Sequence, residues 1–286
     1  MTPNQQKIMD YIKAERQIDF TGCCPAMIER RLAQRFSAVN CRDASGYLDI
    51  LKRRPPEVDR LINCLTINTS RFFRNPLVFE YLNQCLLPRL LNEKKKKFEK
   101  SLRIWSTGCA TGEEPYSLAI VVCELIGKKN QYVSPEIFGT DIDEKALKKA
   151  AAGIYPAESL KNVKWGLLEH YFTRVSKPAA AGHETGTQSF QLAPEIRHMV
   201  NFSCYDILAP GSTAPPESIY GGFDLILCRN VLIYFNHPQQ KKIMEKLFQT
   251  LTRGGYLILG EAETPAPALH QHLKQENALC HIYRKQ

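Results

Sequence analysis

The spacing of apolar residues changes once, about a third of the way along the chain. Before that point, apolar positions recur every three or four residues, as in PAMIERRLAQRF, where Met27, Ile28 and Leu32 share one helical face. The segments ASGYLDILKRR, PEVDRLINCLTI and NPLVFEYLNQCLLPRLL show the same helical spacing. This pattern predicts a small helical domain over residues 1–90 and a solvated basic linker over residues 91–100, where the run KKKK falls.

Short apolar strands alternate with amphipathic helices over residues 101–286. We interpret LRIWST, EIFGTDID, VNFSCYDI, FDLILCRNVLIYF and GGYLILGE as strands, and EPYSLAIVVCELI, EKALKKAAAGIY and PQQKKIMEKLFQTL as helices. The alternation predicts an α/β domain with an open, mostly parallel sheet. Ligands bind such sheets beyond the carboxyl ends of the strands. The loops of interest therefore follow Thr107, Thr140, Tyr205 and Cys228.

One segment interrupts this alternation before the third strand. It reads YFTRVSKPAAAGHETGTQSFQLAPEIRHMVNF, and its middle is rich in alanine, glycine and threonine. The flanking stretches HYFTRV and SFQLAP have strand character, so the segment predicts a small antiparallel hairpin with a long tip. We place this inserted β-subdomain at about residues 168–200.

Composition and charge narrow the class of protein. The chain lacks an apolar run of about 18 residues that would span a membrane, and its polar beginning lacks a secretory signal segment. The ten cysteines are scattered without metal-ligand spacing, so we expect reduced thiols, a cytoplasmic location and no metal. The formal net charge is +9, and residues 1–75 hold 13 Lys and Arg against 8 Asp and Glu. That excess suits an acidic protein, anionic lipid or nucleic acid.

The segment WSTGCATGEEPYSLA predicts a ligand loop between the first strand and its helix. It lacks the Lys-Ser/Thr of a phosphate-binding loop, and Glu113 and Glu114 at the helix start would repel a pyrophosphate. A cationic adenosine ligand without phosphate, such as S-adenosylmethionine, fits these residues better. Thr111 and Glu114 also match the T-x-x-E pattern of a helix capping box, a role compatible with ligand binding.

The end of the second strand carries two aspartates in the stretch FGTDID. An acidic residue at this place commonly accepts hydrogen bonds from ribose hydroxyl groups, and Asp141 has the matching position. Asp143 directly precedes the helical stretch EKALKKA and is placed to cap that helix. We therefore assign Asp141 to the ligand and Asp143 to the helix.

Several long motifs occur in the order NTSRFFRNP, GCATGEEPYS, GTDIDEKALKKAAAGIYP, CRNVLIYF and GGYLILGEAE. Together they resemble the CheR family, the chemotaxis protein-glutamate O-methyltransferases, from about residue 17 to residue 263. The resemblance implies a helical domain that docks receptors and contributes to the cofactor site, then a Rossmann-like class I methyltransferase domain with an inserted antiparallel β-subdomain. It also implies S-adenosylmethionine as methyl donor, S-adenosylhomocysteine as product, and glutamates of chemoreceptor signalling helices as acceptors in chemotactic adaptation.

The resemblance also assigns site residues. The implied cofactor contacts are Asn68, Ser70, Arg74, Gly108, Glu114, Asp141, Asp206, Ile207, Cys228 and Arg229. Arg74 and Tyr234 are candidates for orienting the acceptor carboxylate. Ser70 stands where the family commonly has threonine, and the third-strand motif reads Asp-Ile-Leu where the family often has Asn-Leu-Leu. Aspartate can accept a hydrogen bond from the adenine amino group, whereas asparagine could also donate one.

Charge suggests how a receptor would dock. Its methylation helices are expected to carry several glutamates, and a complementary basic surface is offered by Arg30, Arg31, Arg35, Arg53 and Arg54. The β-subdomain is a candidate site for a receptor C-terminal peptide, as in some family members. Two rivals are a nucleic-acid methyltransferase, which the charge favours but for which no catalytic motif is present, and a non-catalytic adaptor. Phe72 and Phe73 are expected to pack in a core.

Overall fold

A computed structural model describes residues 2–16, 18–66, 70–129, 132–175, 188–209, 211, 213–218 and 222–286. Over this part of the chain, no helix is long and apolar enough to cross a membrane.

The chain begins with a bundle of helices that has its own core. These helices are α1 (Pro3–Arg16), α2 (Pro25–Ala38), α3 (Ala44–Arg53) and α4 (Pro55–Leu65). Proline occupies the first turn of α2 and α4, where a missing N–H costs nothing, and the Asp43 side chain caps α3 by accepting from the N–H of Gly46. Ile12, Ile28 and Leu61 are fully buried between the helices. The helices predicted from apolar spacing in this region are confirmed.

The next two helices pack on the sheet. They are α5 (Pro76–Tyr81) and α6 (Leu87–Lys96), joined by one π-helical turn over Leu82–Leu86. Phe79, Leu86 and Leu90 lie in the same buried cluster as strand residues of the sheet. The predicted domain boundary at residue 90 therefore divides one packed unit, and the packing favours a boundary just after α4.

The predicted linker over residues 91–100 is also corrected by the structure. Its first half belongs to α6, and Leu91 in this half is buried against the sheet. Lys94 is not solvated, since its ammonium group pairs with Asp224 at 2.7 Å and with Glu99 at 2.6 Å. The remaining lysines of the run are exposed.

Seven strands of the described chain form the main sheet. They are β1 (Ser101–Thr107), β2 (Ser134–Asp141), β6 (Val200–Cys204), β7 (Phe223–Cys228), β8 (Leu251–Leu259), β9 (Leu273–Asn277) and β10 (Ile282–Lys285). Their order is β6-β2-β1-β7-β8-β10-β9, with β10 antiparallel to both of its neighbours and the other pairs parallel. Helices α7 (Glu113–Lys129), α8 (Glu144–Ala152) and α11 (His237–Thr250) make the crossovers. The strand order reverses at β1, between β2 and β7, where such sheets bind ligands.

A second, small sheet is inserted before β6. It consists of β3 (Ile154–Pro156), β4 (Phe172–Val175) and β5 (Ser189–Leu192) in the order β3-β5-β4, all antiparallel. Short helices α9 (Trp165–Tyr171) and α10 (Pro194–Arg197) flank it. The predicted hairpin is confirmed as β4 and β5, while β3 precedes the predicted start of the insertion. Most of the predicted tip lies outside the described residues.

The helical bundle is joined to the sheet domain beside the carboxyl ends of the strands. The N–H of Cys24 donates to the carbonyl of Tyr234 at 2.8 Å, and the N–H of Asn236 donates to the carbonyl of Gly22 at 3.1 Å. Tyr234 and Phe235 also pack against the core of the bundle. These contacts make the bundle one wall of the space beyond β7.

Candidate active site

A cleft lies between the helical bundle and the carboxyl ends of β1, β2, β6 and β7. Its empty volume is about 1230 Å³, which includes the part that is open to solvent. Of the residues implied by the family resemblance, the following line it: Ser70, Arg74, Gly108, Glu114, Asp141, Asp206, Ile207, Arg229 and Tyr234. Asn68 lies outside the described residues. The switch point of the sheet, expected to hold the ligand, thus coincides with this cleft.

The loop after β1 approaches the neighbouring turn after β7 very closely. Gly108 has φ +59°, and a Cβ there would stand 2.6 Å from Cγ2 of Val231. Glycine is therefore required both by the left-handed backbone and by the lack of space. The N–H of Ala110 donates to Oδ2 of Asp141 at 2.8 Å, which holds the loop against the end of β2.

Asp141 combines this structural bond with a place in the cleft wall. Its other oxygen, Oδ1, accepts from the N–H of Asp143 at 2.9 Å, and the residue is 9% exposed. Burial raises the pKa of Asp141, although the main-chain donors oppose that rise. Asp143 caps α8 by accepting from the N–H groups of Lys145 and Ala146, as predicted.

The two glutamates at the start of α7 point in different directions. Glu114 accepts from the hydroxyl of Ser106 at 2.8 Å and from Nη1 of Arg229 at 2.9 Å, and it lines the cleft. The structure differs from the predicted capping box, because the Glu114 carboxylate is engaged by Ser106 and Arg229 and the Thr111 hydroxyl donates to Glu113 at 2.7 Å. Glu113 is buried away from the cleft lining, and this burial raises its pKa.

Arg229 connects three parts of the site and is almost inaccessible. Its side chain is 2% exposed, and besides Glu114 it binds the carbonyl of Arg74 at 2.9 Å and Oδ1 of Asn75 at 2.7 Å through Nη2. Its Nε is buried and has no hydrogen-bond partner within the described part of the chain. Since buried donors are normally satisfied, this N–H is available to a bound ligand.

The segment from Ser70 to Asn75 carries Arg74 to the cleft on an anchored backbone. Phe72 and Phe73 are buried and pack against other aromatic rings, so the predicted packing role is confirmed. Phe73 and Asn75 have φ of 52° and 60°, and the N–H of Phe73 donates to the hydroxyl of Ser117 at 2.9 Å. The left-handed residues turn the backbone on either side of Arg74.

A buried carboxylate that the sequence analysis did not single out organises the turn after β7. Glu263 accepts from the N–H groups of four consecutive residues, Asn230 to Ile233, and from that of Gly260, at 2.6 to 3.3 Å. The turn continues into a 3-10 helix over Leu232–Tyr234. It therefore presents Arg229 at its beginning and Tyr234 at its end.

Tyr234 lines the cleft and is partly buried. Burial raises the pKa of its hydroxyl, and the guanidinium groups of Arg74, Arg31 and Arg30 oppose that rise. The three arginines therefore lie within electrostatic reach of the hydroxyl. At neutral pH the hydroxyl is protonated and able to donate a hydrogen bond.

The remaining assigned residues differ in accessibility. Asp206 and Ile207 line the cleft after β6, and Oδ1 of Asp206 accepts from the N–H of Leu208 at 2.8 Å. The side chain of Cys228 instead lies in the hydrophobic core and is fully buried, and burial raises the pKa of its thiol. A ligand in the cleft would have to use the main chain of Cys228.

The bundle contributes cleft residues that sequence reasoning missed. Asp19, Phe20, Met27 and Thr66 all line the cleft. Phe20 and Met27 also belong to the core of the bundle, so their apolar character is indistinguishable in sequence from ordinary packing. Within the described ranges, no group of three or more His, Cys, Asp or Glu side chains is arranged to hold a metal ion.

Arg35 must be removed from the predicted docking surface. Its Nη2 binds Oε1 of Glu57 at 2.6 Å, and the hydroxyl of Tyr47 donates to the same oxygen at 2.8 Å. Glu57 is 3% exposed, so Arg35 neutralises a buried charge inside the bundle. Arg30, Arg53 and Arg54 are exposed, and Arg31 is partly buried.

Both parts of the chain that form the cleft match models of one known protein family. Residues 4–66 match the CheR methyltransferase all-alpha domain, and residues 68–279 match the CheR methyltransferase SAM-binding domain. The chain therefore belongs to the CheR methyltransferase family and is an S-adenosylmethionine-dependent methyltransferase. The two matches meet just after α4, where the packing also favours a boundary.

Three curated relatives illustrate the similarity. Chemotaxis protein methyltransferase 2 of Vibrio cholerae is 32% identical over 260 residues, which cover 90% of this chain and 84% of that protein. The chemotaxis protein methyltransferase of Escherichia coli is 33% identical over 242 residues, covering 83% of this chain and 76% of that protein. The probable biofilm formation methyltransferase WspC of Pseudomonas aeruginosa is 31% identical over 261 residues, covering 91% of this chain and 56% of that protein.

The cleft residues fit S-adenosylmethionine. The carboxylates of Glu114 and Asp141 suit a ligand that carries positive charge and hydroxyl groups but no phosphate. The orphaned Nε of Arg229 suits the carboxylate at the methionine end of the cofactor. When bound, S-adenosylmethionine supplies a methyl group activated by its sulfonium sulfur, and S-adenosylhomocysteine is the product.

Proposed function

We propose that this enzyme methylates glutamate side chains on the cytoplasmic signalling helices of chemoreceptors, forming glutamate methyl esters. The observation that carries the proposal is that Arg74 and Tyr234 both line the cofactor cleft, with the Arg74 guanidinium within electrostatic reach of the Tyr234 hydroxyl. A guanidinium and a protonated phenol form a pair of donors suited to an acceptor carboxylate. Chemotaxis methyltransferases among the relatives support the same reaction.

The acceptor needs no general base at neutral pH. A glutamate has a reference pKa of roughly 4.3, so its carboxylate is already the nucleophilic form. The tasks left to the protein are to orient this carboxylate and to exclude water from it. Arg74 and Tyr234 would perform the first task. Leu65, Phe20 and Met27 from the bundle would perform the second, because they make that wall of the cleft apolar.

A methylation helix carries negative charge, and the rim of the cleft next to Tyr234 carries positive charge. Arg30 and Arg31, both on α2, lie within electrostatic reach of Tyr234. Arg31 is partly buried and Arg30 is exposed, so their guanidinium groups give this rim positive charge. Arg53 and Arg54, at the junction of α3 and α4, extend the basic surface of the bundle.

The test of the reaction is transfer of tritiated methyl from S-adenosylmethionine to receptor-bearing membranes. Label that is released by base as methanol, and that is lost when receptor glutamates are replaced by alanine, establishes carboxyl methyl ester formation. Cofactor binding without transfer to any receptor would refute the proposal and favour an adaptor. Transfer to nucleic acid would favour the other rival.

Docking is tested separately by charge reversal. Replacing Arg30 and Arg31 by glutamate should raise KM for the receptor about tenfold at low salt, and the difference should shrink as salt screens the surface charges. The matched control replaces Arg53 and Arg54, which should change KM less. Equal effects of both pairs would contradict the location next to Tyr234.

The inserted sheet supports a second contact with the receptor. Strand β4 is an edge of this sheet, so its free main-chain groups can pair with an extended peptide. We propose that a receptor C-terminal peptide binds there. Deletion of the last residues of a receptor should then raise KM without changing kcat, and an unchanged KM would refute this contact.

A further inference from the structure

We propose that Glu263 is a positioning residue that holds the turn from Asn230 to Ile233 in the shape that presents Tyr234 to the acceptor. This inference rests on the proposed function, because it concerns the acceptor end of the same cleft. Glu263 does not itself line the cleft. It would act only through the turn that it binds.

The hydrogen bonds of Glu263 are concentrated on one short stretch of backbone. Its Oε1 accepts from the N–H groups of Val231 at 2.8 Å, Leu232 at 2.7 Å and Ile233 at 3.3 Å. Its Oε2 accepts from Asn230 at 3.0 Å and from Gly260 at 2.6 Å. Consecutive N–H groups that converge in this way form an anion-binding concavity, which here is filled by a side chain of the same molecule.

The shape of the turn depends on this carboxylate. Asn230 has φ +60° and Val231 has φ −111°, so the backbone changes from left-handed to right-handed between them. This change points the N–H groups in one direction. Because these donors are buried, they need an acceptor at the point where they converge. Without the carboxylate, the turn would have to rotate its peptide groups toward other partners, and Tyr234 would move with it.

Glu263 is also fixed from its own side. It is 3% exposed, and its N–H donates to the carbonyl of Gly260 at 3.0 Å in the bend after β8. A Cβ at Gly260 would stand 2.7 Å from Oε2 of Glu263 and 2.8 Å from the nitrogen of Asn230. The glycine therefore permits the close approach of the bend and the turn, and its replacement by alanine would separate them without altering any charge.

The distinguishing experiment compares the chemical step with cofactor binding in the full chain. Glu263→Gln keeps the size of the side chain, but one acceptor becomes an NH2 donor that faces main-chain N–H groups. We expect its single-turnover methyl transfer to receptor membranes to fall about 10²-fold, the typical penalty of misplacing a reacting group by about 1 Å. Its Kd for S-adenosylhomocysteine should change by less than about fivefold, because the loop after β1 is held by Asp141 and the Arg229 side chain is held by Glu114 and Asn75, none of which depends on Glu263.

Two further variants make the result decisive. Glu245→Gln makes the same chemical change on α11 at a side chain that is 46% exposed, and it should leave both quantities unchanged. Gly260→Ala should lower the transfer rate in the same direction as Glu263→Gln, and it decides the question by the same criterion if Glu263→Gln does not fold.

The inference is overturned if the variants lose thermal stability but transfer methyl groups at the wild-type rate per S-adenosylhomocysteine-binding site, because Glu263 would then only stabilise the fold. An equal fall in cofactor affinity and transfer rate would also overturn it. Wild-type enzyme in the same assay separates the two proposals. If the wild type transfers no base-labile label, the proposed function fails; if the wild type is active and Glu263→Gln equals it, only the role of Glu263 fails.

Discussion

The loop after β1 and the turn after β7 lie side by side at the carboxyl edge of the sheet and are held in similar ways. Each depends on one buried carboxylate that accepts main-chain N–H groups, Asp141 for the loop and Glu263 for the turn. The difference lies in access: Asp141 forms part of the cleft wall, and Glu263 does not. One carboxylate can serve both the backbone and a ligand, whereas the other serves the backbone alone.

This difference separates two kinds of defect. A change in the loop after β1 should weaken cofactor binding, because the loop itself contacts the cofactor region. A change on the side of Arg74 and Tyr234 should slow the chemical step, because these groups meet the acceptor. Three sets of substitutions and one pH dependence test this distinction.

The largest expected effect is that of Arg74→Ala. Loss of the guanidinium should lower kcat by about 10³-fold, since both orientation and electrostatic positioning of the acceptor are removed. Kd for S-adenosylhomocysteine, measured by calorimetry, should change less than about threefold. Arg71→Ala, at an exposed arginine in the same segment, is the matched control. Unchanged turnover in Arg74→Ala would exclude the proposed acceptor role.

Asp141→Asn should act on the opposite side of the comparison. Its amide would place a donor against the N–H of Ala110 or of Asp143 and would remove the negative charge. We expect the Kd for S-adenosylhomocysteine to rise about 10- to 100-fold, with kcat at saturating cofactor less affected. Asp143→Asn is the control, because asparagine caps helices nearly as well as aspartate. Equal effects of both variants would indicate a purely structural role for Asp141.

Gly108 and Val231 test the point where the loop and the turn meet. Gly108→Ala places a methyl group against Val231 at a left-handed backbone position, and should weaken cofactor binding about tenfold. Adding Val231→Ala should restore part of this loss, because it removes the obstructing methyl groups. The measurement is a double-mutant cycle on the Kd for S-adenosylhomocysteine. Strict additivity would mean that the close approach has no energetic importance.

The smallest expected effect is on the pH dependence of binding. Burial raises the pKa of Asp141, and an ionised Asp141 is the better hydrogen-bond acceptor for the cofactor. Protons therefore compete with the cofactor, and affinity should fall as pH decreases through that raised pKa. The decline should begin above the range of an ordinary aspartate, near pH 3.9, and amount to a few-fold. Asp141→Asn should remove this decline, and its persistence would assign the titration to another group.

The sequence predicted the sheet, the inserted hairpin and the family because these features leave local patterns. Strand-end position singled out Asp141, and the motifs singled out Arg74, Glu114 and Tyr234, all of which line the cleft. Glu263 was not singled out, although it stands in a recognised motif, because the residues that it binds lie about thirty positions earlier and contribute only backbone N–H groups. Such partners have no side-chain signature.

The predictions for Arg35 and for the helices after residue 76 were wrong for a similar reason. Arg35 has the spacing of an exposed helical arginine, and only the fold brings Glu57 and Tyr47 against it. The helices after residue 76 have the same apolar spacing as the preceding bundle, so spacing could not tell which core they join. In each case the sequence did not show which distant part of the chain packs against the residue or helix.

The pairing of Gly22 and Cys24 with Tyr234 and Asn236 has a consequence for biosynthesis. The bundle has local contacts and can fold early as the chain leaves the ribosome, whereas its hydrogen bonds to the turn close a loop of more than 200 residues. The carboxylate of Glu263 emerges later still. A nascent chain that stops short of residue 263 can therefore contain every side chain that faces the acceptor and still lack the group that fixes their arrangement.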